Sequence, residues 1–269
     1  MDNTLYVRPN YHSEELMATD FNFARELIDK LDGWVDKLAA PLMPPRTVVE
    51  GPDLIRLELR EHKPHTVMIG KCVRAVSGIH AALALADLGY VAECAALLRM
   101  VSDFCTEITA IGEALNRGGE LPCAVRTFVD HYFVPKPRTP DQFAAAERTR
   151  YVSREDLMKA EVRSAENANV DGEQLRTVHR FINMTYDAYV HGAYETTMEL
   201  CDAGTGRFMM CGHLSPSKRQ EFVEAVFLKL HEVVIALEFT AAVTAHAEIF
   251  KAARDARHAM DDSDPWKRS

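Results

Sequence analysis

The chain has 269 residues, 47% of them hydrophobic, enough apolar material to bury a substantial core in one large domain or two small ones. Its 31 Lys and Arg stand against 40 Asp and Glu, a formal net charge of -9. That balance excludes a broad phosphate-binding surface, because non-specific nucleic-acid affinity comes from clustered cations that release counterions. A local basic groove stays compatible with the total.

Six cysteines, Cys72, Cys94, Cys105, Cys123, Cys201 and Cys211, form no C-x-x-C pair. Most lie in apolar helical patterns, where a free thiol behaves as a small hydrophobe, so the expected compartment is reducing and cytoplasmic. The first ten residues lack a basic start followed by an apolar run, and no secretory signal is expected. The apolar window 233–250 contains Glu238, His246 and Glu248. Such groups are costly at membrane depth, so no membrane partner is expected.

In chain order, residues 13–38 repeat apolar side chains at spacings of three and four (Leu16, Phe23, Leu27, Leu31, Trp34, Leu38), which predicts a first amphipathic helix. Pro41, Pro44 and Pro45 stop it, and a connector runs to about Pro64 with a short helix opened by Pro52. Residues 66–88 and 90–116 read as an antiparallel helical hairpin broken at Gly89 and stopped at Gly118 and Gly119. A shorter helix over 125–133 ends before Pro135. Thr139, Pro140 and Gln142 form a helix start, and the charge-rich stretch 139–170 predicts a solvated helical excursion from the bundle.

A helix over about 172–200 and a non-helical stretch over 204–213 follow. The last helix opens at Ser215 and Pro216, with Val223, Val226, Leu230, Val233 and Leu237 as its seam. From Thr240 to Ala247 small residues replace large ones, where the helix either packs closely or breaks. The expectation is one all-α domain over 1–269, a bundle of about six to eight helices with a core at 14–257 and a flexible tail at 258–269.

Two segments carry ionisable and aromatic groups in a pattern that helix packing does not require. On the helix 90–116, Arg99, Asp103 and Glu107 follow one another at intervals of four, on one edge. They form either a ladder of surface ion pairs or a buried polar cluster facing other helices. The second segment places His191 after Tyr186 and Tyr189, with Asn183 eight residues earlier. A histidine among phenols is either a structural hydrogen-bonding group or a general acid or base with a pKa near neutral. The candidate catalytic residues are therefore His191, Arg99, Glu107 and Asp103, and the candidate ligand-binding residues are Tyr186, Tyr189, Asn183 and Arg207.

No metal or cofactor is expected. No Glu has a His three residues later, His231-Glu232 lacks the second His of a zinc-protease helix, and Gly204-Thr205-Gly206 lacks the remaining glycine of a phosphate loop.

The run from Ile79 to Asp103, with the later Tyr189-Val190-His191-Gly192-Ala193-Tyr194 and Arg207-Phe208, resembles a family of uncharacterised bacterial helical proteins distantly similar to the HEPN superfamily. The resemblance spans about residues 66–213. In HEPN ribonucleases of toxin and phage-defence systems it implies an Arg-x4-6-His motif near a dimer interface that cleaves RNA without metal. Five pairs here have that spacing: Arg56 and His62, Arg60 and His65, Arg74 and His80, Arg126 and His131, Arg207 and His213. His191 has no such arginine, since the nearest upstream is Arg180, eleven residues away.

The leading functional expectation is a binding, regulatory or protein-interaction module, acting as a homo-oligomer or on a protein partner. Such a module calls for an exposed apolar patch on the first or last helix. The alternatives are a HEPN-like ribonuclease, with RNA as partner, and a small-molecule site lined by Phe208, Met209, Met210 and the tyrosines.

Overall fold

The computed structural model describes residues 14–49, 55–118, 120–134, 154–167, 171–202, 206–210, 212 and 216–263. The helices are α1 (Glu14–Ala39), α2 (Pro64–Asp87), α3 (Val91–Asn116), α4 (Cys123–Tyr132), α5 (Arg154–Asn167), α6 (Gly172–Val190), α7 (Tyr194–Met198), α8 (Pro216–Val243) and α9 (Ala247–Ser263). Two small antiparallel hairpins interrupt them, β1 (Arg46–Val49) with β2 (Ile55–Glu58) and β3 (Cys201–Asp202) with β4 (Arg207–Phe208). The fold is an all-α multi-helix bundle.

Helix α3 is its axis. It packs against α2, α8, α6 and α5, and of its residues only Glu93 and Asn116 are exposed. A helix covered on all sides needs apolar or small residues all round. That explains why Leu98, Val101, Ile108 and Ile111 are buried together with Ala95, Ser102, Thr106 and Ala110.

Pro64 opens α2 at its first position, where a missing N–H costs nothing. The helix ends in a Schellman turn: Gly89, at φ 81°, donates its N–H to the Ala86 carbonyl and Tyr90 donates to Leu85, both at 2.8 Å. That turn folds α3 back along α2. A second Schellman turn closes α6, with Gly192 at φ 59° and the Ala193 N–H on the Ala188 carbonyl. The expected helix over 172–200 therefore breaks here, and α7 is a separate piece. A third ends α8, where the His246 N–H reaches the Ala241 carbonyl and Ala245 holds φ 59° without being glycine. The small-residue stretch 240–247 is thus a break.

Other expectations need correction. The connector holds the β1–β2 hairpin in place of a helix after Pro52: residues 55–58 are extended, and Thr47, Val48, Val49 and Ile55 supply β-branched side chains suited to pairing. The charged stretch is not an excursion over its described part, because α5 docks on α3, α4 and α6 and buries Leu157 and Val162. Of the tail expected at 258–269, the described part through Ser263 is helical, since α9 runs to that residue and buries Met260; the rest lies outside the described residues. Among the described residues, helix α2, rather than the window 233–250, is the one long and apolar enough to cross a membrane, and 56% of its apolar window is buried inside the bundle. Burial of that kind marks the core helix of a bundle equally well.

Candidate functional site

Arg99 lies two turns into α3, and its side chain is only 12% exposed. Its Nε donates to Asp187 Oδ1 at 2.8 Å, and its Nη1 donates to Asp103 one turn further along α3. Asp103 was in reach by spacing alone. Asp187 is not: it comes from the last turn of α6, 88 residues later, and reaches Arg99 because α3 and α6 pack together. A guanidinium taken largely out of water needs such charged acceptors, and two of its five N–H groups have them here.

Beside this cluster lies a cleft of about 570 Å³. Leu85 of α2, Ala96, Leu97 and Met100 of α3 and Val190 of α6 supply apolar walls, and Glu93, Arg99, Asp103 and Asp187 supply the polar ones. The volume falls in the range of sites that hold small ligands. Gly212 comes close to the same end of the molecule: a Cβ there would lie 2.2 Å from the carbonyl oxygen of Leu88 in the α2–α3 turn.

The other sequence candidates separate. Glu107, the third member of the α3 edge, belongs to a different cluster, with its Oε2 2.6 Å from Lys71 Nζ of α2. Lys71 in turn sits among aromatic rings, 4.8 Å from the centroid of Phe104, 5.5 Å from Phe128 and 5.6 Å from Tyr132. Burial raises the Tyr132 phenol above its usual range, reinforced by the Glu107 charge.

His191 caps the C-terminus of α6 and is exposed; its backbone N–H bonds the Asp187 carbonyl, and its side chain does not line the cleft. Tyr189 donates its hydroxyl to Glu199 at 3.0 Å, which ties α6 to the segment after α7. Arg207 is exposed on β4. The side chain of Asn183 lies outside the described residues.

The spaced Arg and His pairs show no shared face where helices hold them. Six residues rotate a helix by about 600°, so Arg74 and His80 point apart. Arg74 approaches the Phe104 ring of α3, while His80 bonds Asp32 of α1 at 3.0 Å. Arg126 turns to Glu120. Of the residues expected to line a small-molecule site, Phe208 and Met210 are exposed on and just after β4, and neither lines the cleft above. Among the described residues no group of three or more His, Cys, Asp or Glu is arranged to hold a metal ion.

One cluster escaped the sequence reading. Lys229 of α8 is fully buried, its Nζ 2.6 Å from Glu232 Oε1 and 4.8 Å from the centroid of Tyr186. Tyr186, expected to bind ligand, is instead a buried wall of this ion pair. It precedes Asp187 directly, so consecutive residues of α6 serve two clusters: Tyr186 meets Lys229 and Asp187 meets Arg99. The signal was present in the sequence, since Lys229 lies three residues after Val226 and four before Val233, within the apolar seam.

Burial also governs the thiols. It raises the Cys72 thiol to about 12 and lifts Cys94 and Cys105 well above the usual thiol range, with the nearby Glu232 charge adding to the rise at Cys105. These three are inert as nucleophiles at neutral pH.

Among the described side chains, which leave out residues 14–25 of α1 and 216–224 of α8, the exposed apolar groups do not gather on the first or last helix. Leu57 of β2, Phe181 and Met184 of α6, Tyr194 of α7 and Met210 after β4 are the most exposed of them, each at least 69% exposed. No family model matches this chain, and no curated protein or solved structure matches it.

Proposed function

We propose that the protein is a binding module whose working site is the cleft between α2, α3 and α6. The single observation that carries this reading is the Arg99–Asp187 pair, a charged contact between two helices placed at the wall of an apolar cleft. Structural ion pairs alone do not call for an adjoining cavity, since close packing is the norm in a helical core. A cleft with apolar walls and a few convergent polar groups is the usual form of a ligand site. Because Asp187 sits in the last turn of α6, just before the Gly192 turn, a ligand that competes for its carboxylate acts directly on the end of that helix. This couples occupancy to the α6–α7 region and gives binding a regulatory outlet.

The test is thermal shift against a panel of nucleotides, metabolites, amines and short peptides, run on the native chain and on Ala96→Trp, whose indole fills the cleft. Compounds that raise the melting temperature of the native chain and leave the variant unmoved support the reading. A flat response, or equal shifts in both proteins, removes it.

A further inference from the structure

The cleft's walls also specify a ligand chemistry, on the footing that the cleft is the binding site. We infer that it receives an alkylammonium group carrying an apolar body, from a free amine or from the lysine side chain of a partner chain.

Three carboxylates, Glu93, Asp103 and Asp187, face one guanidinium, Arg99, so the formal charge of the lining is -2. The depth order matters more than the sum. The Asp187 side chain is 46% exposed, Asp103 33% and Arg99 12%, so an entering group meets carboxylates first and finds the guanidinium behind them. Glu93, on the first turn of α3, is exposed at the same lining. A carboxylate offers about four lone-pair sites, so accepting from Arg99 leaves acceptor capacity on Asp187. An ammonium brings three donors and no acceptor, which matches that capacity.

An anion would have to pass the carboxylates and displace one of them from Arg99. A metal ion would need a set of ligands that the described residues do not assemble. The remaining lining is aliphatic, Leu85, Leu97, Met100 and Val190, and suits the hydrocarbon stem of an amine. The chain's net charge of -9 favours the approach of cations at long range.

Calorimetric titration of the full chain with hexylammonium, hexanoate, 1-hexanol and Nα-acetyl-lysine methylamide tests this. Hexylammonium should bind at least about tenfold more tightly than hexanol, about the effect of one favourable ionic contact, and hexanoate should show no binding. Raising the salt from 0.05 to 0.5 M should weaken the amine several-fold, as screening of partly exposed charges requires. Asp187→Asn should weaken it about tenfold. Glu93→Gln, at an exposed position where folding is not at stake, should weaken it two- to threefold. Binding of the lysine derivative as tightly as hexylammonium identifies a partner's lysine as the source, and a clear preference for hexylammonium identifies a free amine; both support the shared chemistry.

Hexanoate or hexanol binding as well as the amine overturns the inference while the binding reading stands. So does a failure of every amine while the broader panel still gives shifts that Ala96→Trp abolishes. If the panel is flat as well, both readings fall.

Discussion

Two charged clusters lie on either side of the last turn of α6, and they differ in what surrounds them. Lys229 with Glu232 and the Tyr186 ring is sealed, with the ammonium fully buried. Arg99 with Asp103 and Asp187 opens onto a cleft, its carboxylates a third to a half exposed. Both are cation–carboxylate contacts, and the distances of 2.8 Å for Arg99–Asp187 and 2.6 Å for Lys229–Glu232 do not by themselves separate them. Burial does: in the sealed cluster removing Glu232 strands a fully buried ammonium, and removing Lys229 leaves a carboxylate only 20% exposed, whereas in the open one water replaces whatever is removed.

The largest expected effect follows from that difference. Lys229→Ala leaves Glu232 without its cation and a void against Tyr186, and should cost on the order of 3–5 kcal/mol in urea unfolding. Lys229→Met keeps the volume and removes the charge; paired with Glu232→Gln it should recover most of that loss. If Lys229→Ala costs less than about 1 kcal/mol, the cluster is not sealed and the contrast with Arg99 disappears.

The alkaline limb of stability sharpens the same contrast, because Cys105 borders the sealed cluster and Cys72 lies nearby in the α2–α8 contact. The Thr240 hydroxyl donates to the Ala236 carbonyl, which leaves the Cys72 thiol as donor to Thr240 Oγ1 at 3.3 Å. An unfolded thiol ionises near 9.0, and the folded Cys72 is raised to about 12. Below the unfolded value both states hold the proton and the thiol leaves stability unchanged. Above it only the unfolded state loses the proton, so stability falls from about pH 9 up to about 12. By pH 10.5 the loss from Cys72 should be on the order of 2 kcal/mol, since each unit is worth about 1.4. Urea midpoints of the native chain and Cys72→Ala at pH 8 and 10.5 measure it, and parallel lines for the two proteins would refute the assignment.

What the sequence makes legible follows from the range of the interactions. Periodicity and glycine are local, so the hairpin of α2 and α3, its break at Gly89 and its stop near Gly118 are all readable, as is the all-α class. Spacing on one helix is local too, and it finds Arg99 with Asp103. It cannot find Asp187, which depends on how α6 lies on α3, and it wrongly adds Glu107, which Lys71 of α2 claims. The β1–β2 hairpin is missed because Pro52 suggests a helix start more strongly than four-residue strands suggest a sheet. Lys229 is readable in retrospect from its place in the apolar seam, but a lysine is by habit assigned to solvent.

The break after α8 escapes local reading for another reason, and it supplies a third test. Ala245 holds the left-handed conformation at the position a Schellman turn normally gives to glycine. A Cβ there costs about 1 kcal/mol or somewhat more. Ala245→Gly should therefore stabilise the chain by about 1 kcal/mol while moving neither charged cluster, which makes it a backbone reference for the charge variants. No gain in urea midpoint would mean that Ala245 does not hold that conformation in solution.

The smallest expected change in stability belongs to the open cluster, and its smallness is the informative result. Asp187→Asn keeps an acceptor for the Arg99 Nε and leaves Asp103 as a charged partner, while water reaches the exposed half of the side chain. For a pair at this exposure the loss should be no more than about 1 kcal/mol. A cluster kept for stability would lose more on that change, as Lys229 should. A cluster placed to meet a ligand should lose little in urea and about tenfold in amine affinity. If Asp187→Asn instead destabilises the chain as strongly as Lys229→Ala, the Arg99 contact is a structural lock between α3 and α6, and the cleft beside it has no claim to be the working site.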